Sequence, residues 1–345
     1  MGKNQKEINE LDIMKVITTM LVIIGHICRI YSPDSIINPY SDNIILNKLS
    51  SFIYSFHMPA FVCISGIIYY HIKRNLKRYN NEYTFIKKKI FRLIIPYIFF
   101  SIFVVFPTMY ILGFVKANLL KYFITNYVLC LDNRHLWYLI MLFGIFIIFN
   151  HYEKYFHKYH TIFLFVSLIL SMLHSLMPSF FGIANITYYF IYFYIGYLYG
   201  EHKNKLDVYL MKYPKSIIFY SCMVLFLFWA LSTKLDNNYI IMIIKYITAL
   251  SGTISLYTIS LKMSSNKQII NNKFINLLNK DSYGIYLFHP MIIYLLFYNL
   301  AQNPIINISA YILAFIAFIL SIGFSIILIN LFRKLNLNLF IGEKL

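Results

Sequence analysis

Residues 11–31 read Leu11-Asp12-Ile13-Met14-Lys15-Val16-Ile17-Thr18-Thr19-Met20-Leu21-Val22-Ile23-Ile24-Gly25-His26-Ile27-Cys28-Arg29-Ile30-Tyr31. At about 1.5 Å per residue a helix of this length extends roughly 30 Å, the thickness of a bilayer core. The stretch is apolar enough to lie there, yet it carries Asp12, Lys15 and His26. An ionisable side chain in hydrocarbon costs about 2.5–3.5 kcal/mol even on the most lenient scale. Three on one helix are therefore expected to face a protein interior or a wet cavity. With about 3.6 residues per turn, Asp12, Lys15, Thr19 and His26 share one helix face, and His26 lies about 21 Å along the axis from Asp12. Such a stripe links the two sides of a membrane and ends near an imidazole.

The remaining sequence fits the same setting. Of 345 residues, 59% are hydrophobic and only 13% charged, against about 25% charged in a soluble protein; the mean hydropathy is +0.64. Apolar runs recur at 11–31, 48–71, 91–112, 135–150, 161–177, 186–200, 216–232, 240–261, 282–300 and 309–331. They predict an all-α, polytopic bundle of about ten transmembrane helices, one transmembrane domain over residues 1–345 without a soluble insertion.

The net charge of +18 is segregated. Apart from Lys15 and Lys245, which fall within spans, only Arg29, Lys48, Lys116, Lys121, Arg134 and Lys234 lie on the side opposite the N-terminus. The positive-inside rule then puts both termini in the cytoplasm, and this placement argues against nucleic acid as a partner. The loop from His71 to Lys89 is the most basic. It serves either as a topology determinant touching anionic lipid or as an electropositive mouth for a phosphorylated cytosolic ligand. Cys28, Cys63, Cys130 and Cys222 lack metal-ligand spacing. They read as small apolar side chains in helices, with a Cys28–Cys130 disulfide near the outer face as the alternative.

Four further blocks carry chemistry. The second span contains Tyr54, His57, Phe61 and Ser65 on one face, with a kink expected at Pro59. His57 lies at a depth similar to His26, which fits either acid–base work in a shared polar pocket or a helix-to-helix hydrogen bond. The third span opens with Lys89 and Arg92, three residues apart on one face. The pair either snorkels to the interface or grips phosphates of a nucleotide-type cosubstrate. At the start of the fourth span, Arg134 and His135 sit where an incoming acceptor would first meet the protein, while Trp137 and Tyr138 fit an interfacial aromatic belt. In the ninth span Ser282, Tyr286 and His289 share a face, a polar stripe or a set of interhelical hydrogen bonds. The sequence shows no Gly-rich phosphate loop, nucleophile elbow or zinc-type His/Cys cluster, and its few intramembrane carboxylates argue against an ion-coupled pump.

Taken together, Leu11-Asp12-x-x-Lys15…Gly25-His26, Phe56-His57-Met58-Pro59…Ser65-Gly66, Lys89-x-x-Arg92…Pro96, His135-Leu136-Trp137-Tyr138-Leu139 and Ser282-x-Gly284-Ile285-Tyr286-x-x-His289 resemble the acyltransferase-3 family of multi-span bacterial O-acyltransferases. The likeness is nearest to its fucose 4-O-acetylase-like branch. It implies an enzyme of the bacterial inner membrane that moves an acetyl group from cytosolic acetyl-CoA to a sugar hydroxyl of a surface polysaccharide or lipid-linked glycan. His26 would be catalytic, Lys89, Arg92, Lys15 and Asp12 would meet the donor, and His57, Ser65, Arg134, His135, Tyr286 and His289 would meet the acceptor. Acetyl-CoA is then a cosubstrate, with no metal and no tightly bound cofactor implied. Lysine at Lys15 and Lys89, where many relatives carry arginine, keeps the charge but not the bidentate fork. The competing expectation is a transporter or flippase for a lipid-linked glycan, without acyl transfer.

Overall fold

The computed structural model describes residues 9–35, 37, 43–78, 81–115, 118–301 and 308–343, and no strand occurs among them. Long apolar segments satisfy their backbone in hydrocarbon only as helices or closed barrels. Ten longer helices follow in order: α1 (Asn9–Arg29), α2 (Ile44–Asn75), α3 (Glu82–Ile111), α4 (Arg134–Lys158), α5 (His160–Met172), α6 (Ile183–Lys212), α7 (Pro214–Ser232), α8 (Asn238–Ser264), α9 (Lys273–Leu300) and α10 (Ala310–Lys334). Each apolar run expected from the sequence falls on one of them. Eight are long and apolar enough to cross a membrane. The other two are α5, with 13 residues and about 20 Å, and α6, whose 30 residues include Glu201, Lys203, Lys205 and Asp207. Lys3, Lys6, Lys116 and Lys344, which enter the charge asymmetry, lie outside the described residues.

Two irregularities have identifiable causes. The kink expected at Pro59 falls instead at residues 55–56, where Phe56 leaves helical geometry with φ −141° and the helix restarts at His57. Pro59 thereby occupies the first turn of the new segment, where a missing N–H costs nothing. In α3, wide π turns at Ile90–Ile94 and Ser101–Val105 precede Pro96 and Pro107. Pro96 has no N–H to offer the carbonyl four residues back, that of Arg92, and the wide turn accommodates its ring. The Tyr283 hydroxyl donates to that Arg92 carbonyl at 2.7 Å.

The chain divides into two compact units. The first comprises residues 1–25, 45–78 and 192–282. Its core joins Leu11 and Met14 of α1 to Phe56, Ala60, Ile64 and Ile67 of α2 and to Leu225, Leu256 and Tyr257 of α7 and α8. The backbones of α2 and α6 touch through two glycines. A Cβ on Gly66 would stand 2.1 Å from the Phe193 carbonyl oxygen, and one on Gly196 would stand 2.2 Å from that of Cys63. Small residues permit this approach where no water drives helices together. In the same unit Lys203 binds Glu10 at 2.7 Å and also Asp207, which accepts from Tyr199 at 2.7 Å and Tyr257 at 2.9 Å. Each charge of this cluster has a counter-charge or donor, the condition for tolerating it away from water.

The second unit comprises residues 26–44, 79–191 and 283–345. Here α4 packs aromatic rings against α3 and α6, as in Phe85–Phe146 at 5.9 Å and Phe149–Phe190 at 5.9 Å. Gly284 of α9 lies under Ile329 of α10, and Phe288 meets Phe332 at 5.3 Å. Phe315, Ile319 and Ile327 of α10 are exposed, as a lipid-facing surface requires. The four cysteines are free thiols, so the alternative Cys28–Cys130 disulfide is not formed. Cys130 stands outside any helix, in the loop before α4.

Candidate active site

The site in the second unit starts from the loop that feeds α4. Two non-glycine residues there take left-handed backbone, Cys130 with φ 61° and Arg134 with φ 53°. Such conformations cost roughly 1–3 kcal/mol and persist only where the surroundings enforce them. The Tyr97 hydroxyl donates to the Tyr127 carbonyl at 2.6 Å and contacts Cys130 Sγ at 3.2 Å, while Asn133 Nδ2 donates to the same hydroxyl at 3.4 Å. Phe181 N donates to the Leu129 carbonyl at 2.7 Å. These bonds hold the loop so that Arg134 and His135 are delivered at the first turn of α4.

His135 is tied to α9 from both ends. Its Nε2 donates to the Leu287 carbonyl at 3.1 Å, and its own carbonyl accepts from the Tyr286 hydroxyl. One turn along α9, His289 Nδ1 donates to the Ile285 carbonyl at 2.8 Å. A carbonyl only accepts, so its partner fixes the proton on the bonded ring nitrogen of each imidazole. The other nitrogens, Nδ1 of His135 and Nε2 of His289, keep their lone pairs, are buried, and have no hydrogen-bond partner among the described residues. An unsatisfied buried acceptor costs about 1–3 kcal/mol and calls for a reason beyond packing.

His26 meets His289 edge to face with ring centres 5.2 Å apart, and His289 meets His135 at 6.3 Å. Tyr286 lies 5.7 Å from His135 and 6.3 Å from His289, and Tyr138 lies 5.6 Å from Tyr286. His26 is half-buried, whereas His135 and His289 are enclosed. The arrangement places one reachable imidazole against two sequestered ones whose lone pairs are uncommitted. This suits a general base whose protonated form is received in a polar, preorganised surrounding.

Other expected residues are distributed differently. Lys89 of this unit holds its ammonium 3.4 Å from the Phe146 ring centre and 5.3 Å from that of Phe85, while Arg92 is exposed. Asp12, Lys15, His57, Ser65 and Ser282 belong to the other unit. There Asp12 and Lys15 pair at 3.6 Å, His57 Nδ1 donates to the Ile53 carbonyl at 2.8 Å with Tyr54 against its ring, and Ser65 donates to Phe61 at 3.1 Å. Ser282 donates to the Asn279 carbonyl at 2.9 Å.

Tyrosines are the residues that sequence reasoning missed. Tyr138 reads in the sequence as interfacial belt and sits three residues from His135. Tyr283 likewise sits three residues from Tyr286 and stacks on it at 6.3 Å. Tyr122 and Tyr127, before α4, carry no sequence signal; burial above all pushes the Tyr127 phenol upward, so it remains a neutral hydroxyl. The model of the acyltransferase-3 family, described as an acyltransferase domain, matches residues 8–330. No curated protein and no solved structure gives a match to the chain.

Proposed function

The chain belongs to the acyltransferase-3 family and is a multi-pass membrane acyltransferase, and from that premise we propose that it moves an acetyl group from acetyl-CoA to a sugar hydroxyl of a surface polysaccharide or lipid-linked glycan. The observation that carries this reading is the half-buried His26 imidazole set against enclosed His289. In the proposed reaction His26 removes the proton from the acceptor hydroxyl as its oxygen attacks the thioester carbonyl carbon. Collapse of the tetrahedral intermediate breaks the carbon–sulfur bond, and the imidazolium returns the proton to the departing thiolate. Transient acetylation of His26 itself is the other route to the same products. General base catalysis of this kind supplies about 10²- to 10⁴-fold.

The donor's phosphates are assigned to Arg92, with Lys89 behind it, because a fork of donors suits phosphate oxygens. The acceptor is assigned to Arg134, His135, Tyr286 and His289. With the orientation given by the positive-inside rule, both termini and the donor lie on the cytosolic side of a bacterial inner membrane, and the acceptor lies opposite.

The test is acetyl transfer by the purified protein in lipid nanodiscs, with radiolabelled acetyl-CoA and a panel of sugars. His26→Ala is expected to abolish transfer while the protein still inserts and elutes as the parent does. Full transfer by that variant would remove the central residue, and glycan export without any thioester turnover would replace the reading by a transporter.

A further inference from the structure

Next in the chain to His135 stands Arg134, assigned above to the acceptor but with no part in the proposed proton transfers. Arg134 enters α4 in a left-handed conformation and its side chain is only 18% exposed. Among the described residues its one ion pair runs from Nη1 to Asp132 at 3.4 Å, longer than the roughly 2.7–2.9 Å of a formed charge-assisted bond. Its Nε is buried with no hydrogen-bond partner. A guanidinium carries five donors in a fixed plane, and taking it out of water with those donors unmet is expensive.

The groups around it are phenols, each able to donate one hydrogen bond as well as to accept. The Tyr122 hydroxyl interacts with the guanidinium and with Tyr127, and the Tyr122 and Tyr127 hydroxyls are both buried without an accepting partner. Tyr294 interacts with Arg134 from α9 and with Arg29, the residue one turn beyond His26 on α1. Arg29 is itself held only loosely by the exposed Asp34, at 3.7 Å. Arg134 thus has three phenols in its electrostatic surroundings and, like Arg29, one long ion pair to a carboxylate among the described residues. The surplus is of donors, next in the chain to His135.

We propose that this cluster is a binding site for an oxyanion, a carboxylate or phosphate carried by the acceptor, so that the acceptor sugar is acidic. This rests on the proposed acyl transfer only for the identity of the ligand as acceptor. A planar carboxylate or a phosphate matches the guanidinium fork and the phenol donors, while a neutral hexose supplies no charge to complete them. Anchored at Arg134, the sugar presents its remaining hydroxyls toward the imidazoles that follow it.

Equilibrium binding of radiolabelled glucuronic acid, glucose 1-phosphate and glucose to the protein in zwitterionic nanodiscs tests this without any acyl transfer. The two anions are expected to bind about tenfold or more tightly than glucose, the lower end of what a charge-assisted hydrogen bond supplies. Arg134→Gln is expected to erase the preference, and Arg134→Lys, with charge but no fork, to keep part of it. Equal binding of all three sugars, or an unchanged preference in Arg134→Gln, overturns the proposal. Retention of phosphatidylglycerol by the parent but not by Arg134→Gln, together with loss of sugar-anion binding in anionic nanodiscs, assigns the cluster to a lipid headgroup and also overturns it. Anion binding without acetyl transfer would sink the proposed function and leave this site standing. Transfer with no preference for acidic sugars would do the reverse.

Discussion

His26 and His289 face each other edge to face at 5.2 Å between ring centres, and the His289 ring is completely enclosed. Because Nδ1 of His289 is committed to the Ile285 carbonyl, only the Nε2 lone pair is left to interact with its neighbour. An uncommitted lone pair beside a second imidazole can accept that ring's N–H, and a His26 held in this way would keep its other nitrogen basic.

That relationship makes His289 a positioning residue. His289→Phe keeps the ring volume and deletes the lone pair, whereas His289→Gln keeps an acceptor. His289→Phe is expected to lower kcat by about 10²-fold, between the loss of one hydrogen bond and the 10⁴ that follows a wrong catalytic tautomer. The KM for acetyl-CoA should change little, the pH–rate profile should shift, and His289→Gln should retain more activity. Equal rates for the two variants with an unshifted profile would reduce His289 to packing.

The contact of α2 with α6 makes a second prediction, about stability. A methyl group on Gly66 or Gly196 would overlap backbone carbonyl oxygens at 2.1 and 2.2 Å, and backbone cannot rotate away as a side chain can. Overpacking costs about 1–3 kcal/mol, and more where helices must separate. Gly66→Ala and Gly196→Ala are expected to lower the melting temperature and the yield of inserted protein. Gly323→Ala on α10 is the control, since a Cβ there meets nothing within 4 Å. Thermal unfolding in detergent distinguishes them, and equal stability of the three variants contradicts the close approach.

The legible parts of the site were those with helical spacing. His26 stood out because an imidazole in a span is costly. Tyr286 and His289 were visible as one polar face, and Arg134-His135 as polar residues opening a span. What spacing could not convey was pairing across long separations. Nothing local says that Tyr283 donates to the Arg92 carbonyl that Pro96 leaves without its helical donor, because the two lie 191 positions apart. Tyr138 reads in the sequence as interfacial belt, and spacing does not convey that its ring also lies 5.6 Å from that of Tyr286. The sequence places His57 at a depth similar to His26 and does not convey its described partners, the Ile53 carbonyl and the Tyr54 ring.

Lys89 and Arg92, alike in the sequence, should separate in function. The Lys89 ammonium already has an electrostatic partner, the face of Phe146 at 3.4 Å, worth about 0.5–2 kcal/mol. Withdrawing it to grip a phosphate forfeits that contact, whereas exposed Arg92 can offer its fork at no such cost. Charge-assisted hydrogen bonds contribute about 1.5–3 kcal/mol, so Arg92→Met is expected to raise the KM for acetyl-CoA about tenfold or more and leave stability nearly unchanged. Lys89→Met should move the melting temperature more than the KM, and Phe146→Leu should lower it similarly without adding to the Lys89→Met effect, since both delete one interaction. Steady-state kinetics over a range of acetyl-CoA concentrations, with thermal unfolding of the same preparations, measures both quantities. A larger KM effect from Lys89→Met than from Arg92→Met would mean that the lysine leaves its aromatic cradle to bind the donor, and would reverse the assignment of the two cations.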